Sequence, residues 1–84
     1  MKAVDIVAYN LKRLRTKSLI SQENLAIDAG IARTYVSRIE RGLDNCTITV
    51  LEKIAIALKC DMRDFFEEPD GKDITPLKAG RKPK

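Results

Sequence analysis

The stretch "ENLAIDAGIARTYVSRIERG", residues 23–42, constrains this chain more than any other. It holds two short runs with apolar side chains at helical spacing, divided by one glycine. Leu25 and Ala26 lie on the inner face of the first run, with Ala29 just past its end. Tyr35, Val36 and Ile39 give the second run its own buried stripe. Only Ile31 separates Gly30 from the second run, which begins at about Ala32, so the chain must turn a sharp corner. Gly30 is the residue for that corner, because without a Cβ it takes a left-handed conformation at little cost. Ala26 is small enough to let the two helices approach closely. The stretch therefore predicts two short helices joined by a sharp turn.

The flanking segments extend the helical pattern. Residues 5–16 place Ile6, Val7, Leu11 and Leu14 on one stripe and Lys12, Arg13 and Arg15 opposite, which predicts a first helix from about Ala3 to Thr16. Ser21 is the expected N-cap of the second helix, Gln22 to about Asp28, with Glu23 near its positive end. The third helix runs from about Ala32 to Arg41 and stops at Gly42. A loop, "GLDNC", leads to Thr47, the expected cap of a fourth helix from Ile48 to about Leu58, with Leu51, Ile54, Ala55 and Leu58 inward. Asp61 caps a short fifth helix, Met62 to Phe66, and Pro69 follows it. No strand pattern interrupts this series. The expectation is an all-α domain of five helices over residues 1–68 and a flexible basic tail over residues 69–84.

Composition narrows the function. A chain of 84 residues makes one domain with a small core. A net charge of +4 favours polyanionic partners. The chain has no histidine, which removes every Ser–His and Cys–His catalytic pair. Its two cysteines, Cys46 and Cys60, lack metal-ligand spacing and are too few for a disulfide scaffold, so they read as small packing residues. No catalytic constellation or cofactor motif is present. The expectation is a non-enzyme without metal, cofactor or small-molecule ligand. No secretory leader or membrane-spanning run is seen, so a cytoplasmic location is expected.

Residues 22–41, "QENLAIDAGIARTYVSRIER", resemble the helix-turn-helix of the phage repressor and Cro family, also called the XRE family. The likeness continues through "ERG", the loop with Asn45 and the run "TITVLEKIAIALKCDMRDFF", and covers about residues 6–66. Within the family it is nearest to the controller proteins of restriction–modification systems. The resemblance implies a five-helix, lambda-repressor-like fold whose third helix enters the DNA major groove. It implies base contacts by Arg33, Thr34, Ser37 and Arg38, and phosphate contacts by Gln22, Arg41 and Asn45.

It also implies a homodimer on a near-palindromic operator of double-stranded DNA, in the cytoplasm of a bacterium or with a phage, nucleoid-associated when bound. With no separate oligomerisation domain in view, the expected interface lies on helices four and five, at Met62, Phe65 and Phe66, with Val50 and Ile54 contributing. Glu40 reads as a structural partner of an arginine, Arg15 in particular. One departure stands out: Ala32 occupies a position where many relatives carry Ser or Thr, and Ala caps a helix about 1 kcal/mol less well than Ser. A second reading is a protein-interaction module, such as an antitoxin or a coactivator-like adaptor. That reading leaves Arg33, Thr34 and Arg38 together on one exposed face without a purpose.

Overall fold

A computed structural model describes residues 2–69. Apart from Pro69, the basic tail assigned to residues 69–84 lies outside the described residues. Among the described residues four α-helices follow one another: α1 (Ala3–Lys17), α2 (Gln22–Ala29), α3 (Arg33–Glu40) and α4 (Ile48–Leu58). A 3-10 turn, Met62–Phe66, comes after them.

Each boundary has a local chemical cause. The Ser21 hydroxyl accepts the Asn24 N–H at 3.0 Å and starts α2. Gly30, at φ 72°, ends it in the left-handed conformation, while the Ile31 N–H reaches back to the Ala26 carbonyl at 3.0 Å. A second left-handed glycine, Gly42 at φ 73°, turns the chain out of α3. Thr47 caps α4 by accepting the Val50 N–H at 3.0 Å. That helix ends at Lys59, left-handed at φ 57° without the help of a glycine. Ala32 has the extended backbone of an N-cap but gives α3 no side-chain cap.

The fifth element differs from the α-helix that the sequence predicts. It is a 3-10 turn, started by a reciprocal capping box in which Asp61 and Asp64 each accept a backbone N–H of the other's end. The physical reason is room. Pro69 biases Glu68 away from helical geometry, and between it and Asp61 only a short piece fits; the 3-10 conformation closes its bonds one residue sooner than an α-helix.

The core lies where the five elements meet. α3 packs on α1 and α2, α4 covers α2, and the terminal turn closes on α1 and α4. Val7, Leu11, Leu25, Val36, Ile39, Leu51, Ile54, Leu58 and Phe65 form the buried cluster, with Ala26 and Ala29 keeping the α2 contacts close. At its edge sits a buried polar residue, Asn10. Its amide donates to the Phe65 carbonyl at 2.9 Å and the Glu67 carbonyl at 2.7 Å, and its oxygen accepts from Arg13 at 3.1 Å. Asn10 thereby ties the first helix to the last turn.

This packing corrects two expectations at the chain's C-terminal elements. Ile54 and Phe65, expected on a dimer surface, are both 0% exposed within the single protomer. Phe65 is the largest fully buried side chain and Ile54 belongs to the same buried cluster, so neither is available to a second copy. Val50 and Met62 are partly buried, and Phe66 is 50% exposed.

Candidate nucleic-acid interface

α3 is amphipathic in a way that sorts its residues cleanly. Val36 and Ile39 are buried and Tyr35 is half-buried against the core. Arg33, Thr34 and Arg38 are exposed, and Ser37 is partly exposed beside them. The four side chains assigned to base contact therefore share the outward face of one short helix. Because α3 is held on its inner side by both α1 and α2, that face is presented by a rigid scaffold.

Gln22 is placed by a network. The Arg15 guanidinium grips the Glu40 carboxylate through Nε at 2.5 Å and Nη2 at 3.1 Å, and donates its Nη1 to the Ile20 carbonyl at 2.7 Å. The Gln22 amide then donates to Glu40 Oε1 at 3.0 Å. Glu40 is almost fully enclosed, its side chain 3% exposed, so the charge is buried but paired and bonded on both oxygens. The Arg15–Glu40 pairing is the one the sequence predicts. The network fixes the Gln22 amide at the first turn of α2 and uses one of its two N–H groups. The other is free in number to meet a phosphate.

Arg41 and Asn45 are both exposed, just beyond the C-terminal end of α3. Between them, Asp44 does something the sequence reading overlooks. It accepts Arg38 Nε at 2.7 Å on one carboxylate oxygen and Arg38 Nη2 at 3.1 Å on the other. The contact is bidentate and open to solvent, with the two side chains 50% and 33% exposed. The hydrogen bond to Asp44 pushes the Arg38 guanidinium up, and the same bond holds the Asp44 carboxyl below its usual value. The signal in the sequence is an acid two residues past a helix-ending glycine, where the returning loop passes back over α3.

The two cysteine thiols are shifted as well. Burial pushes the Cys46 thiol up, and burial with the nearby Asp64 and Asp61 does the same to Cys60, so neither is tuned as a nucleophile. Among the described residues no cluster of His, Cys, Asp and Glu is arranged to hold a metal ion. Among the same residues no helix is long and apolar enough to cross a membrane.

An apolar groove lies between the start of α1 and the start of α4. Ala3, Val4, Val7, Ile48, Leu51 and Phe66 line it, and Ile48 is 73% exposed. The sequence reading missed Ile48. It stands outside the inward stripe of α4, which is the signal that marks an apolar residue left at the surface.

Residues 11–65 match the helix-turn-helix family. Control protein C.BamHI of Bacillus amyloliquefaciens is 42% identical over 52 residues, 62% of this chain and 64% of that protein. The chain spans about half to two thirds of the first curated relatives it matches, 50% of one and 64% of another. The crystal structure of the restriction–modification controller protein C.AhdI from Aeromonas hydrophila superposes with a TM-score of 0.73 at 36% identity, over 75% of this chain and 96% of that one. The controller protein C.Esp1396I, solved as a tetramer in complex with its natural 35 base-pair operator, superposes with a TM-score of 0.72 at 35% identity, over 79% of this chain and 87% of that one. These relatives are controller proteins, and others are helix-turn-helix transcriptional regulators. With the repressor-type corner at Gly30, the exposed face of α3 and these likenesses together, the chain belongs to the XRE-type helix-turn-helix family of DNA-binding regulators, beside the restriction–modification controller proteins.

Proposed function

We propose that this chain is a sequence-specific, double-stranded DNA-binding transcription regulator that acts as a homodimer on a near-palindromic operator. The observation that carries the reading is the outward face of α3, where Arg33, Thr34, Ser37 and Arg38 are gathered. Such a helix enters the major groove with its N-terminal residues at the base edges. Arg33 and Arg38 supply paired donors for guanine, Thr34 a hydroxyl or a methyl contact to thymine, and Ser37 a shorter polar contact. Gln22 and, on the far flank, Arg41 and Asn45 meet phosphates and set the register.

One helix-turn-helix reads one half-site, and a two-fold dimer places two recognition helices about one DNA turn apart. We assign the contact surface to Val50, Met62 and Phe66, extended by Ile48 in the adjoining groove. Occupancy then follows protein concentration through the dimer equilibrium, and repression follows from covering a promoter. No catalysis and no cofactor enter this mechanism. The adaptor reading is less favoured, since an adaptor has no need of three base-reading side chains on one exposed helix face.

Two substitutions separate reading from holding. Arg33→Ala should lower affinity for a selected operator by about 1–3 kcal/mol and relax the preference at one base pair per half-site. Arg41→Ala should weaken binding to all duplexes alike and reduce the slope of log affinity against log salt by about 1. Fluorescence anisotropy across a salt series measures both. Equal losses on cognate and scrambled DNA for Arg33→Ala would remove it from the reading face.

A further inference from the structure

Arg38 is exposed and Asp44 partly so, and a solvated arginine on a recognition helix has no need of a partner to keep it in solution. Its partner is nonetheless held in place by the backbone. The Gly42 corner and the bond from the Leu43 N–H to the Arg38 carbonyl, 2.9 Å, fold the loop back onto the last turn of α3. That closure sets Asp44 beside the Arg38 side chain.

The geometry of the pair decides what it leaves available. A guanidinium has five N–H donors in a planar fork. Asp44 takes one edge of it, the Nε–H and one Nη2–H. The remaining three N–H groups lie on Nη1 and Nη2, which form the outer end of the fork. Guanine offers two acceptors in the major groove, O6 and N7, with the spacing of such a fork. The carboxylate therefore holds the arginine without occupying the edge that guanine requires. It also fixes the last torsions of a side chain that otherwise loses rotamer freedom on binding. Its negative charge opposes the alternative in which Arg38 swings to a phosphate.

We propose that Asp44 is a specificity-determining positioning residue, which holds Arg38 edge-on so that the outer fork of its guanidinium meets a guanine. The proposal rests on the groove-reading function above. It carries an unusual pair of signs. Removing the carboxylate should lower discrimination at the base pair that Arg38 reads. It should also leave unchanged, or raise, affinity for DNA of unrelated sequence, since one negative charge near the phosphates is gone.

The test uses the full chain and duplexes built on the site that the wild-type protein selects from random DNA. Asp44→Asn, Arg38→Ala and the double variant are titrated against that duplex, against its single-base changes and against a scrambled duplex. Circular dichroism melts confirm that each variant folds. Asp44→Asn should reduce the preference for guanine by about fivefold or more at one base pair per half-site, with scrambled-duplex affinity equal to wild type or higher. In the Arg38→Ala background, Asp44→Asn should leave the preference unchanged. Unaltered wild-type preference at every position, or an equal loss on all duplexes, would overturn the proposal while leaving the regulator reading intact. If the wild-type chain selects no sequence, it is the regulator reading that fails.

Discussion

At the scale of single residues, one position is not optimised for stability. Ala32 has the extended backbone of an N-cap, at φ −72° and ψ 143°, but no side-chain acceptor for the free N–H groups of α3. Ala32→Ser should raise stability by about 1 kcal/mol, seen as a rise in melting temperature of about 4–8 °C for a domain of this size. An unchanged or lower melting temperature would mean that the exposed N–H groups of α3 are already satisfied by water at no cost. The same scale shows why some site residues were legible and one was not. The outward placement of Arg33, Thr34, Ser37 and Arg38 follows from helical spacing once Val36 and Ile39 are placed inward, whereas their proposed role at bases comes from the family resemblance. Glu40 could be matched to Arg15 because an acid beside a buried stripe needs a cation, and the structure places the two together. Asp44 escaped because its contact with Arg38 depends on the Gly42 corner, and the spacing of six residues fits no regular helical pair.

At the scale of elements, the caps carried most of the information. Ser21, Gly30 and Thr47 mark boundaries that the structure places at the predicted residues, because each satisfies backbone groups by a short-range bond. The end of α4 at Lys59 has no such signal, since a left-handed lysine cannot be told from any other. The terminal turn was harder. Periods of 3.0 and 3.6 residues are indistinguishable across five positions, and three apolar side chains in so short a run do not reveal which one turns inward. Phe65 does, and Asn10 holds it there through two backbone carbonyls. Asn10→Ala should strip those acceptors of their donor and cost about 2 kcal/mol in chemical denaturation, with exchange protection falling first in the terminal turn. A loss spread evenly over the chain would deny Asn10 its role as the tie between α1 and that turn.

At the scale of the whole molecule, a small core and an exposed apolar groove meet on the same side. Phe66 is 50% exposed and Ile48 73% exposed, both lining one groove, while Ile54 and Phe65 are buried in the core. The distinction between these pairs is tertiary, and no helical wheel for α4 supplies it without knowing where α1 lies. If Phe66 belongs to the contact surface, Phe66→Glu should shift sedimentation equilibrium toward monomer while the circular dichroism spectrum stays helical. It should also weaken operator binding more steeply than one half-site's share, since both recognition helices would lose their fixed spacing. A variant that remains as dimeric as the wild type would move the interface elsewhere.

The central claim is that α3 reads base sequence as one of two copies related by a two-fold axis. The most direct test is selection of binding sites from random duplex DNA by the purified chain, at a stated salt concentration near physiological. The account predicts a near-palindrome whose half-sites lie about one helical turn apart, with guanine strongly preferred at the positions that Arg33 and Arg38 face. Recovery of no common sequence, with only weak binding that salt abolishes, would contradict it.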